Sequence, residues 1–169
     1  NDHKKLKRVF GLVSYSLAIK AKKDVESIKS KLLLLIKNKE GTFKVNTKRS
    51  DKQFPIKSPE LNAILGNFVE ENNSKLQFSL KNYDYEFNVE INQDGAYLFL
   101  DKIPCFGGLP TGVEGESVLI VESEASILAG LMIMKRGVNL VCFISKKVPF
   151  DNAGLKEKCV DILNQFSPD

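Results

Sequence analysis

With 169 residues, 43% of them hydrophobic and 27% charged, the chain is long enough for one large or two small domains with a real core. Its longest apolar runs, "LLLLI" at 32–36 and "ILAGLMIM" at 127–134, are too short to span a bilayer, so no membrane partner is expected. The net charge of +4 hides a split, because residues 1–57 hold 16 Lys and Arg against 5 Asp and Glu, while residues 58–169 hold 9 against 16. A strongly basic first part points to a polyanion-binding surface, with a solvated lysine-rich face as the bland alternative.

In chain order, "NDHKKLKRVFG" reads as the end of an element rather than a beginning, and its polar, basic residues are not those of a secretory signal. "LVSYSLAIKA" (12–21) alternates as a strand. "DVESIKSKLLLLIKN" (24–38) predicts a helix capped by Asp24, with Val25, Ile28, Leu32, Leu35 and Ile36 as its apolar stripe. A strand follows over 42–49, with Phe43, Val45 and Thr47 on one face. "SPELNAILGNFVEENN" predicts a helix with Ser58 as N-cap, Pro59 at the first helical position, and Leu61, Ile64, Leu65 and Phe68 buried. Strands at 84–91 and 96–103 form a hairpin through Asp94-Gly95. "PCFGGLPTGVEG" (104–115) reads as a linker. Beyond it, strand (117–121), helix (123–136), strand (138–144) and helix (152–166) suggest the opening βαβα of a parallel sheet.

One histidine, His3, and three cysteines without CxxC spacing leave no zinc site and no Ser-His or Cys-His pair. A reduced, cytoplasmic compartment is the expectation. Cys142 and Cys159 read as buried core residues, and Cys105 as an exposed but unactivated thiol. The most informative stretch is "FKVNTKRSDKQFPIKSPE" (43–60). It gathers Lys44, Lys48, Arg49, Lys52 and Lys57 around Phe54 and ends at a helix start marked by Ser58. Cations neutralise phosphates, a helix start offers free N–H groups, and an exposed Phe54 would stack on an unpaired base. The alternative for Phe54 is a core anchor under a basic loop.

The segments "RVFGLVSYSLA", "TFKVNTKRSDKQFPIKSPEL", "VEINQDGAYLFLDKIPCFGGLPTGVEG" and "AGLMIMKRG" occur in this order. In these motifs the chain resembles, over essentially its whole length, the tRNA 4-thiouridine synthetases, also called tRNA sulfurtransferases, which share a pathway with thiamine biosynthesis. The resemblance implies an α/β chain: the tail of a ferredoxin-like domain (1–19), an α+β THUMP domain (20–104), a linker (105–116) and a partial βαβα PP-loop domain (117–169). It further implies that the THUMP domain grips the tRNA acceptor 3′ end. The family's PP-loop reads Ser-Gly-Gly-x-Asp-Ser. The aligned positions here are Val121, Glu122, Ser123, Glu124, Ala125 and Ser126, of which only the last agrees. Glu122 brings a Cβ and a negative charge where glycine lets backbone approach phosphate. The turn is expected to be a structural cap, with Ser123 bonding a backbone donor, Leu119 and Ile120 in the strand, and Ala129, Met132 and Ile133 packing the helix. The resulting expectation is a tRNA-binding chain without a bound cofactor or metal, working with a separate catalytic or sulfur-carrier protein and forming a homodimer. The alternative is an active ATP-dependent sulfurtransferase making 4-thiouridine. A third reading, a structural or dimerisation protein, treats the basic face as incidental.

Overall fold

The computed structural model describes residues 2–144 and 154–166. The elements begin with a 3-10 helix (Asp2–Arg8), β1 (Ser14–Tyr15), β2 (Ile19–Ala21), α1 (Val25–Ile36), β3 (Gly41–Arg49) and α2 (Ser58–Asn72). They continue with β4 (Leu76–Phe78), β5 (Tyr85–Asn92), β6 (Gly95–Phe99) and β7 (Ile103–Pro104). Last come β8 (Glu116–Ile120), α3 (Glu124–Met134), β9 (Asn139–Phe143) and α4 (Leu155–Asn164). The chain is mixed α/β and divides into two compact units, residues 16–101 and residues 1–15 with 102–169. Among the described residues, no helix is long and apolar enough to cross a membrane.

Unit 16–101 is a five-stranded sheet in the order β2-β6-β5-β3-β4, with α1 and α2 packed on it. Asp24 caps α1 by accepting from the Ser27 N–H at 2.7 Å. Ile28, Leu32 and Ile36, spaced at one helical face, are buried with Phe43, Val45, Phe87, Val89 and Ile91 of the sheet. The hairpin between β5 and β6 turns at Gln93-Asp94, one residue earlier than expected, with Gly95 opening β6 opposite Asn92, whose Oδ1 accepts from the Asp94 and Gly95 N–H groups. Two further expectations shift. The backbone stays extended through Lys57, and Leu61 N–H closes the first helical bond onto the Lys57 carbonyl. Lys57 is therefore the N-cap of α2, and Ser58 is its first helical residue. The short parallel edge strand β4 was not anticipated, because three residues carry too little alternation to register.

In the other unit β1 pairs antiparallel with β7, and β8 parallel with β9. The core joins Phe10 to Leu119, Val121, Ile127, Met134, Leu155, Cys159 and Leu163. Leu119 is a buried strand residue, whereas Ile120 faces outward. Helix α3 buries Ile127, Gly130 and Met134; Ala129, Met132 and Ile133, expected inside, are exposed. Gly130 explains the rotation: a Cβ there would lie 2.6 Å from Leu119 Cδ2, so the helix approaches β8 along its glycine. Cys142 is also exposed, against expectation, although its Sγ lies 3.9 Å from that of buried Cys159; among the described residues β9 pairs with β8 alone, and the sheet's other face is open. Val118, Ile120, Val141 and Phe143 share that uncovered face, each more than half exposed. Cys159 is buried as expected, and burial pushes its thiol up to about 11. The predicted helix start at 152–153 lies outside the described residues.

Candidate nucleic-acid interface

The basic segment between β3 and α2 is tied down from beneath. The N–H groups of Ser50 and Asp51 both donate to the Ile91 carbonyl on β5, at 3.0 and 3.2 Å. Asp51 is buried and accepts from Lys23 Nζ at 2.7 Å and from the Gln53 N–H at 2.9 Å. The Lys23 ammonium, and then the Gln53 N–H, hold its carboxyl below the usual carboxylate range. The Arg49 guanidinium donates to the Phe54 carbonyl, and the Phe54 ring is 5% exposed within the core of α1, α2 and the sheet. Phe54 is therefore the anchor of the loop, and it presents no face on which a base can stack.

Alternation along β3 sorts the remaining cations. Phe43, Val45 and Thr47 face the helices, which places Lys44 and Lys48 on the opposite face, in register with Glu86 and Glu90 of β5. Lys44 is committed within the sheet: its ammonium lies 4.2 Å from the Tyr83 ring centre and 3.1 Å from Glu86 Oε1. Tyr83 first and Glu86 second raise its pKa. Lys48, Lys52 and Lys57 are exposed. Lys52 reaches back to the Arg49 carbonyl at 3.4 Å. Ser58 is half-buried in the first turn of α2, where Pro59 removes one of the free donors.

At the other expected site, Val121 is buried, Glu122, Ser123, Glu124 and Ala125 are exposed, and Ser126 is half-buried. Ser123 is the N-cap of α3 by backbone only; its side chain makes no cap bond. Ser126 supplies the bond instead, its Oγ accepting from the Glu122 N–H at 3.2 Å one turn back. Glu124 Oε1 accepts from Lys158 Nζ on α4.

Residues 22–101, which hold α1, α2 and every strand of the five-stranded sheet but β2, match the THUMP domain family. This chain contains a THUMP domain. Over nearly its full length it is also similar to a "Probable tRNA sulfurtransferase" of Anoxybacillus flavithermus, 36% identical over 167 residues, or 96% of this chain and 42% of that protein. A solved protein of Pyrococcus horikoshii Ot3 superposes with a TM-score of 0.87 at 34% identity, covering 97% of this chain and 57% of that one. A 4-thiouridine synthetase solved with RNA and bound ATP superposes with a TM-score of 0.84 at 31% identity, covering 99% of this chain and 46% of that one. The chain is thus tRNA sulfurtransferase-like with a THUMP domain, and it spans about half the length of these relatives.

Within the THUMP domain, the seven residues expected to contact RNA separate into three groups. Lys48, Lys52 and Lys57 are exposed, Lys52 with a long bond back to the Arg49 carbonyl, Lys44 and Arg49 are engaged in the fold, and Phe54 is interior, with Ser58 one position inside the helix. Asp51 organises the loop, and the "SDKQ" pattern of an Asx turn is its signal in the sequence. Outside the THUMP domain, His3, Lys4, Lys5, Lys7 and Arg8 line a second cationic hollow of about 630 Å3 with Phe106. His3 Nδ1 lies 3.1 Å from the Tyr15 hydroxyl there, which ties this terminal segment to β1.

The carboxylates that shape the THUMP domain make its stability acid-sensitive. Asp84, bonded by the Thr42 N–H and hydroxyl, is held low like Asp51. A depressed folded-state pKa stabilises above the unfolded value of about 3.9 and loses that contribution as pH falls through the folded value. Urea midpoints should stay flat from pH 7 to about 4 and drop below it, with a shallower drop in Asp51→Asn. An equally steep drop in that variant would dismiss the role of Asp51.

Proposed function

We propose that this chain binds tRNA through its THUMP domain and holds the acceptor 3′ end against Lys48, Lys52 and Lys57. The observation that carries this is the loop pinned by Asp51 and Phe54, whose backbone holds Lys52 and Lys57 between the end of β3, with Lys48 on its outward face, and the start of α2. Preorganised cations neutralise phosphates without first being ordered. Support comes from the RNA-bound 4-thiouridine synthetase, similar across 99% of this chain. Intact tRNA should bind several-fold more tightly than the same tRNA trimmed of its terminal CCA. Equal affinities would mean that the lysines meet only duplex backbone.

The PP-loop positions fit a triphosphate poorly. Glu122 and Glu124 bring carboxylates to the turn, and the Glu122 N–H is already taken by Ser126 Oγ. Acidic residues suit a bare helix N-terminus, which explains their presence without a nucleotide. In this proposal the chain presents tRNA to a separate catalytic or sulfur-carrier protein. The other reading, an active ATP-dependent tRNA sulfurtransferase, is favoured by the ATP held in the similar synthetase. Melting with millimolar ATP decides between them, since a ligand bound only to the native state raises stability with occupancy. No shift in Tm is the expected result, and a clear rise restores the enzyme.

A further inference from the structure

We propose that the groove between α2 and the end of β4 receives an unpaired base of the RNA strand whose phosphates lie on Lys52 and Lys57. This rests on the RNA-binding reading above and adds to it a site for the base itself. The groove exists because β4 stops at Phe78, opposite Phe43, while β3 runs on to Arg49. Its volume is about 350 Å3, within the range of small-molecule pockets. Val45 of β3 contributes to its lining, and Gly66 of α2 leaves it open: a Cβ there would meet only the Phe78 ring, at 4.0 Å. The Phe78 ring stands edge-on to Phe43 at 5.9 Å yet stays 47% exposed. With Leu80 beside it, 71% exposed, it provides the accessible aromatic surface that Phe54 does not.

Position links this pocket to the cations. Pro59, at the second residue of α2, lines one end of the groove, two residues from Lys57. A strand passing over the start of α2 therefore reaches the groove with its next nucleotides. The chemistry suits a base: Val45, Pro59, Phe78 and Leu80 offer apolar surface for stacking, and Asn62, Asn67 and Glu70 add polar groups to the lining. Glu70 has one carboxylate oxygen fixed by the Phe78 N–H at 3.0 Å, which leaves the other to accept from an exocyclic amine. Adenine, cytosine or guanine is thus favoured over uracil. An extended peptide adding to β3 is disfavoured, since Asn62 Oδ1 already occupies the Thr47 N–H at 2.8 Å on that edge.

The test is a titration of an RNA stem with a four-nucleotide single-stranded 3′ end carrying 2-aminopurine, whose fluorescence falls on stacking. The same stem with a blunt end is the control. The wild-type chain should quench the probe. Phe78→Ala should abolish the quench and weaken binding of the overhang about ten-fold, leaving the blunt stem unaffected. Gly66→Leu guards against misfolding: it replaces a helix-weakening glycine, so its Tm should not fall, while its side chain fills the groove. It should show the same loss as Phe78→Ala. A folded Gly66→Leu chain with wild-type affinity and quench overturns the groove and leaves it to an occupant such as a peptide. If Lys52→Ala and Lys57→Ala still weaken both RNAs, the RNA-binding reading survives that result. Failure of the wild type to bind either RNA overturns both.

Discussion

Replacing Phe54 with alanine is expected to lower the stability of the THUMP domain by about 3–5 kcal/mol, the largest effect of any substitution in the basic loop. The ring is buried among residues of α1, α2 and the sheet, and truncation leaves a cavity that the tethered loop cannot fill. For a unit of this size the loss should lower Tm by more than about 10 °C. The carbonyl that anchors Arg49 belongs to the same residue, so the loop should loosen with the core. Phe54→Leu separates packing from stacking: it keeps most of the buried apolar volume but no aromatic face. It should retain wild-type RNA affinity once folded. A folded Phe54→Leu chain that loses RNA binding ten-fold would mean that the ring meets the base after all.

The opposite pattern is expected from Lys48→Ala, Lys52→Ala and Lys57→Ala combined. These exposed side chains support little of the core, so Tm should change by only a few degrees. Affinity for tRNA should instead fall by one to two orders of magnitude at low salt, at roughly 1 kcal/mol per lost phosphate contact. The slope of log K against log salt should flatten by about two, since each neutralised phosphate contributes roughly 0.7–0.9. Arg49→Ala behaves differently because its guanidinium serves the Phe54 carbonyl; it should cost stability before it costs slope. Unchanged affinity and slope in the triple variant would remove the lysines from the interface.

Local signals in this sequence were legible where the structure is decided locally. Asp24 caps its own helix, Ile28, Leu32 and Ile36 lie at helical spacing, and the "NQDG" stretch turns its own hairpin, one residue earlier than Asp94-Gly95. The basic character of the loop needed no fold to be seen. The fate of Phe54 did, because its loop is held by an ion pair between Asp51 and Lys23, 28 residues apart. Helix α3 failed for another reason: it is apolar on nearly every side, so periodicity could not choose a face, and the close approach at Gly130 chose it. Exposure of Cys142 is a matter of which strands and helices pack around β9, a property of the sheet that no window of residues contains. The accessible aromatic at the interface, Phe78, sits on a strand too short to announce itself.

The side-chain amide of Asn62 has a consequence for how this domain behaves among its own copies. Beyond Phe78 the outer edge of β3 would display unpaired backbone, the kind of template onto which a second chain adds as a new strand. Asn62 lends its carbonyl oxygen to the Thr47 N–H and so imitates the neighbour that is missing. A strand adding along that edge would have to break this bond first, so one helix residue guards the sheet against its own copies.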